Sequence, residues 1–126
     1  MLVKRLCDEN NARIVISSAC REMYCKEAIE AILNAACAGL GDLVWNDEKW
    51  WRTTLWPYEG ALGETSDRGR EILHWLSNSG VLLNNYVILD DMADMRPLNE
   101  SLILCSTNDG IGYSQYIAAS AMLKAG

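Results

Sequence analysis

Residues 86–91 read YVILDD, and this stretch decides the fold class. An apolar run that ends abruptly on two carboxylates is typical of a buried strand in a parallel sheet. Residues 13–17, RIVIS, show the same pattern, because their β-branched run ends on a hydroxyl at Ser17. Ligands of open α/β sheets bind at the carboxyl ends of the strands, so Ser17, Asp90 and Asp91 are predicted to lie at one edge of a sheet.

Helical patterns accompany these strands, with apolar residues at the i, i+3, i+4 spacing of one helical face. The predicted elements, in chain order, are the end of a helix (1–12), a strand (13–17), a helix (22–38), an irregular Trp-rich excursion (43–63), a helix capped by Asp67 (67–79), a strand (86–91), a strand (101–105), a turn (108–110) and a helix (114–123). This order predicts a single α/β domain over residues 1–126, with a mostly parallel sheet.

Composition narrows the class of protein. The 126 residues are 50% hydrophobic, which is enough for a core, and carry a formal net charge of −6. An acidic chain argues against broad neutralisation of nucleic-acid phosphates and favours a basic partner or a metal ion. No apolar run reaches the ~20 residues of a membrane helix, and no signal peptide is visible, so a cytoplasmic location is predicted. The five cysteines form no CxxC pair and are predicted to be reduced and mostly buried.

Four residues at the predicted strand ends and the helix start offer chemistry. The Ser17 hydroxyl and the Arg68 guanidinium can hold phosphate oxygens, and the Asp90 and Asp91 carboxylates are hard ligands for Mg²⁺. Each also has a plain structural interpretation. Ser17 can cap a helix, the two aspartates can form a polar loop, and Arg68 can pair on the surface with Asp67 or Glu71.

Four blocks of the chain together resemble successive motifs of the haloacid dehalogenase (HAD) superfamily, closest to small HAD domains associated with nucleic-acid repair and phage proteins. The blocks are ARIVISSACRE (12–22), TSDRGREILHWL (65–76), NNYVILDDMADM (84–95) and STNDGIGYSQYIAASAML (106–123). The resemblance spans residues 2–123 and implies a trimmed, three-layer HAD-like (Rossmannoid) fold.

The resemblance also implies roles for individual residues. Ser17 resembles the hydroxyl that hydrogen-bonds the transferring phosphoryl group, and Arg68 the cation that balances its charge. Asp90 and Asp91 resemble the Mg²⁺-holding motif, with Asp94 as a helper. Arg70 is a rival for Arg68, but the two lie about 200° apart around a helix, so only one can face the site.

One motif of the family pattern has no counterpart here. In the family, the nucleophile and the general acid/base are two aspartates that lie two positions apart. They follow a strand that comes before the one matching RIVIS. Residues 1–12 do not contain this pair of aspartates. Without the nucleophile, covalent catalysis has no first step, so a phosphatase is disfavoured and Mg²⁺ binding is expected to be weak or vestigial. The family's strand order implies a gap between residues 13–17 and 86–91, closed by direct pairing, by a second copy in a homodimer, or by a partner's strand.

Tryptophans crowd the excursion at Trp45, Trp50, Trp51 and Trp56. Because few cations lie near them, a core patch or a protein interface is favoured over a stacking platform for nucleic acid. His74 is interpreted as structural. The predicted function is therefore non-catalytic binding of a protein on a degraded HAD-phosphatase scaffold, for instance as a phage-encoded, anti-CRISPR-like inhibitor of a host nuclease or defence complex. The alternative is a Mg²⁺-dependent phosphohydrolase acting on nucleotides or nucleic-acid ends, with a nucleophile from residues outside this sequence.

Overall fold

The computed structural model describes residues 1–54, 66–83, 85–106 and 110–125. Within them the helices are α1 (Leu2–Asn10), α2 (Lys26–Ala36), α3 (Asp67–Asn78) and α4 (Tyr113–Lys124), and the strands are β1 (Ile88–Asp90) and β2 (Leu102–Leu104). The α/β prediction is confirmed. The excursion is described as far as residue 54, and Asn108 and Asp109 of the predicted turn lie outside the described residues.

Helix boundaries differ from the predicted ones at their starts. The predicted helix over 22–38 begins later, at Lys26, because a short 3-10 turn, Ala19–Glu22, comes first. Ser66, and not Asp67, is the N-cap of α3: its Oγ accepts a hydrogen bond from the Gly69 N–H at 3.0 Å. A hydroxyl one residue earlier meets the free N–H groups of the first turn, which the Asp67 side chain does not do here.

Residues 13–17 are extended and pair with the excursion. Ile14 forms a parallel bridge with Val44, and Ile16 forms a second with Arg52. The N–H and C=O of Ile16 bond to Trp51 O (3.1 Å) and Thr53 N (3.0 Å). The predicted strand is therefore present only as two bridges, and short extended pieces of the excursion support one of its edges.

The second strand pairing is parallel, between β1 and β2, with Leu89 opposite Ile103. Both strands are shorter than predicted, since 86–91 and 101–105 contribute three residues each. Within the described part of the chain, no backbone hydrogen bond joins 13–17 to β1. In the described residues, the predicted mostly parallel sheet is thus represented by two separate parallel pairings, and Ser106 and Gly110 form an antiparallel bridge.

Each of these pairings has an edge that points away from its partner. The Asp90 C=O accepts from the Cys105 N–H at 2.8 Å. Because backbone groups alternate sides along a strand, the N–H and C=O of Leu89 point to the opposite edge. Ile14 and Ile16, the residues before and after Val15, both bond to the excursion through their backbone groups. The backbone N–H and C=O of Val15 therefore point away from the excursion.

Helices cover both faces of the β1–β2 pair. On one face Leu6 of α1 and Tyr116 and Ala119 of α4 form a buried cluster against Val87 and Leu89. On the other face lies a cluster formed by Ile72 of α3, Ile88 and Met95. A third cluster, Ile29, Val44 and Trp51, packs α2 against the excursion and Ile16. These layers place α3, with Arg68 in its first turn, against the face that carries Asp90.

The cysteines are more exposed than predicted. Of the four whose side chains are described, Cys7 is buried, Cys37 and Cys105 are half-buried and Cys25 is exposed; all four are free thiols. Cys25 precedes α2 instead of lying on its apolar face, because the helix begins later than the periodicity indicated. In the described part of the chain, none of the helices combines the length and the apolar composition needed to cross a membrane.

Candidate functional site

The end of β1 and the first turn of α3 meet in an ion pair. Arg68 Nη1 donates to Asp90 Oδ2 at 2.5 Å, and only 6% of the Asp90 side chain and 19% of the Arg68 side chain are exposed. Arg70 contacts Asp67 instead, three residues earlier on the same helix. The helical rotation between positions 68 and 70 thus directs Arg68, and not its rival, to the strand end.

Both carboxylate oxygens of Asp90 accept hydrogen bonds. Oδ2 accepts from Arg68, and Oδ1 accepts from the Met92 N–H at 3.0 Å, which turns the chain directly after the strand. Asp91, the next residue, is exposed. The strand end is therefore a structured turn in which the buried aspartate is neutralised by a guanidinium.

Asp94 has a different partner. Its carboxylate accepts from Arg96 Nε at 2.7 Å and Nη2 at 2.9 Å, and both side chains are exposed. These hydrogen bonds lower the pKa of Asp94 below its usual value, because they favour the charged carboxylate. The contacts of Asp94 are thus with its own loop and not with Asp90.

A divalent cation does not fit this arrangement. Mg²⁺ requires direct contact with carboxylate oxygens at about 2.0–2.1 Å, in octahedral geometry. The Asp90 oxygens are already engaged by Arg68 and Met92. Among the residues that the structure describes, no three His, Cys, Asp or Glu side chains converge to hold a metal ion.

Ser17 lies at a second, buried network centred on Arg21. Arg21 Nη1 donates to the carbonyl oxygens of Ser17 and Ser18, at 2.8 Å each, and its Nε donates to Thr53 O at 2.9 Å. Nη2 lies 3.0 Å from Glu71 Oε1, and the two side chains are 2% and 6% exposed. The network ties the end of 13–17 to the excursion and to α3.

This network was missed by sequence reasoning, which treated Glu71 as one surface partner of Arg68. The available signal was the spacing on α3, since positions 68 and 71 are three residues apart and lie on one helical face. On that face, Arg68 contacts Asp90 and Glu71 contacts Arg21. The two strand ends are thus joined through one helix.

The predicted tryptophan cluster divides between core and surface. Trp51 is buried in the α2 cluster, with Arg52 over its ring at 5.2 Å. Trp50 is half-buried: Lys49 lies over its ring at 4.7 Å, and its carbonyl accepts from the Trp75 indole N–H at 2.7 Å. Trp45 is half-buried. Trp56 lies outside the described residues.

A groove of about 450 Å³ opens beside the excursion. Its lining combines both signs of charge with apolar surface and consists of Arg13, Lys26, Glu30, Asp42, Val44, Trp45 and Asn46. His74 is exposed on α3, with its ring 6.1 Å from that of Trp50 and its Nδ1 3.2 Å from Asn78. These contacts agree with a structural interpretation of His74.

Comparison with known protein families shows which family the chain belongs to. A model described as the HAD domain in Swiss Army Knife RNA repair proteins matches residues 1–115. No curated protein and no solved structure matches the chain. The matched region includes α1 to β2 and the residues of both networks, and the α/β arrangement with helices on both faces agrees with a trimmed domain of this type. The chain therefore belongs to the family of HAD domains found in Swiss Army Knife RNA repair proteins.

Proposed function

We propose that this chain acts as a non-catalytic binding protein on a HAD scaffold, with a protein as its partner. The observation that carries the proposal is the pair of open strand edges. The backbone groups of Val15 and Leu89 point away from the pairings described above, and no backbone hydrogen bond between described residues joins 13–17 to β1. Such edges accept an additional strand, which gives affinity through main-chain hydrogen bonds.

Charge indicates the kind of partner. The net charge of −6 favours a partner with a basic surface, and Trp45 and Trp50, in the excursion that pairs with 13–17, offer half-buried aromatic area. An acidic protein that covers the basic groove of a nuclease competes with its nucleic acid. The finer form of the proposal is therefore a phage-type, anti-CRISPR-like inhibitor of a nuclease or defence complex, acting in the cytoplasm, where free thiols stay reduced.

A second copy is the first partner to test. We expect the chain to sediment as a homodimer at micromolar concentration, with twice the mass of the 14.1 kDa chain. Val15→Pro is expected to give a monomer with an unchanged circular dichroism spectrum, because proline removes an N–H from the open edge.

Ile16→Pro is the matched control for this experiment. The Ile16 N–H donates to Trp51 O at 3.1 Å, so its loss is expected to lower the melting temperature of the chain. A 14.1 kDa mass for the wild type at every concentration would contradict the homodimer. A dimer that persists with Val15→Pro would exclude the strand edge as its interface.

Phosphatase activity is expected to be absent. The 126 residues contain no Asp-x-Asp, and the one buried carboxylate at the β1 end is paired with Arg68. Hydrolysis of an aryl phosphate with Mg²⁺ present should equal the buffer blank for the wild type and for Asp90→Asn alike. Turnover by the wild type that Asp90→Asn abolishes would overturn the prediction.

The second candidate is a Mg²⁺-dependent phosphohydrolase acting on nucleotides or nucleic-acid phosphate ends, with which the family match is compatible. It needs an attacking carboxylate from a segment outside this sequence, with Arg68 and Ser17 binding the phosphate. A fluorescent RNA with a terminal phosphate, compared with the same RNA bearing a hydroxyl, tests this candidate. Binding that requires the phosphate and is lost in Arg68→Met favours the phosphohydrolase ancestry over the protein-binding role.

A further inference from the structure

We propose that Arg68 is a built-in counter-cation of Asp90, so that Arg68 and a divalent cation are mutually exclusive partners of this carboxylate. Only the β1 end is involved, and the partner-binding role is independent of it. The contacts observed at Asp90 disagree with the metal-binding motif of the family.

The distances at Asp90 are the reason why Arg68 and a divalent cation exclude each other. Arg68 Nη1 is 2.5 Å from Asp90 Oδ2, and the Met92 N–H is bonded to Oδ1 at 3.0 Å. A Mg²⁺ ion would need an oxygen at about 2.0–2.1 Å and would keep several waters around itself. At Oδ2 the Arg68 guanidinium holds this approach, so the proposal requires Arg68 to leave before an ion can bind that oxygen.

The burial of Asp90 and the compensation of its charge also disfavour the binding of a divalent cation. The Asp90 side chain is 6% exposed, and its charge is already compensated by Arg68. A divalent ion would therefore meet a buried, neutralised pair and the repulsion of a second cation, whereas removal of Arg68 would leave an uncompensated carboxylate that binds cations.

A Mg²⁺ titration followed by amide chemical shifts of residues 89–92 tests this directly. The wild type is expected to show no saturation at millimolar Mg²⁺. Arg68→Met and Arg68→Gln are expected to bind at least about tenfold more tightly, a typical size for the coupling between competing partners. Arg68→Lys keeps the positive charge and is expected to resemble the wild type.

Arg96→Met is the matched control, because it removes the partner of an exposed aspartate, Asp94, and leaves the Arg68–Asp90 pair intact. It should not tighten Mg²⁺ binding, and adding Asp90→Asn to Arg68→Met should abolish the gain. Equal affinities of the wild type and both neutral Arg68 variants would overturn the proposal.

A second measurement covers the case in which the neutral variants do not fold. Micromolar Mn²⁺ added to the wild type broadens amide signals close to a bound ion. The proposal requires that residues 89–92 stay sharp, and selective broadening at Asp90 would overturn it.

Discussion

Replacement of Arg21 by Met is expected to lower the free energy of unfolding by about 3–5 kcal/mol, the usual cost of removing one partner of a buried ion pair. Glu71 is 6% exposed and would lose its charged partner, and the carbonyl oxygens of Ser17, Ser18 and Thr53 would each lose a donor. Chemical denaturation monitored by tryptophan fluorescence measures the change. Because the lost contacts join the end of 13–17, the excursion and α3, we expect a single cooperative unfolding transition at a lower denaturant concentration.

The double variant separates the charge from the hydrogen bonds. Arg21→Met together with Glu71→Met removes both charges, so we expect it to lose less than the sum of the two single variants. Arg96→Met is the surface control, since 42% of its side chain is exposed, and should change stability by about 0–1 kcal/mol. If Arg21→Met were no more costly than Arg96→Met, the Arg21 network would not hold the segments together.

Gly69→Ala is expected to destabilise the fold by about 1–3 kcal/mol or more through overpacking. A Cβ at position 69 would lie 2.1 Å from the backbone oxygen of Arg96 and 2.7 Å from that of Met95. The Arg96 oxygen also accepts from the Ser66 N–H at 2.9 Å, so the clash would disturb the start of α3. Thermal unfolding followed by circular dichroism measures the effect.

The sign of the stability change distinguishes overpacking at position 69 from the effect of helix propensity. In an exposed helix interior the same substitution is favourable by about 0.8–1.0 kcal/mol. Ser77→Ala, at an exposed position of α3, is the control and should leave stability unchanged or slightly higher. A Gly69→Ala variant as stable as the wild type would show that α3 does not approach the loop after β1 this closely.

Local pattern in the sequence determined much of the architecture. Apolar periodicity located α2 and α3 within a few residues, because burial of one helical face is a local property of the chain. The apolar runs at 13–17 and 86–91 likewise identified two segments that each form a parallel pairing, the first with the excursion and the second with β2. The motif resemblance assigned Arg68 to a phosphate and Asp90 to Mg²⁺, whereas the structure places the two side chains in contact with each other.

Only the tertiary structure decided which charged groups are buried and with whom. Arg21 and Glu71 are 50 positions apart, and nothing local distinguishes them from surface residues, yet they form the most buried ion pair described. The same holds for Trp51, which packs into the core although Lys49 and Arg52 lie close to it in the sequence. Burial and pairing depend on segments distant in sequence that meet only after folding, so the role of Asp90 as an arginine partner and not a metal ligand emerged from three-dimensional contacts.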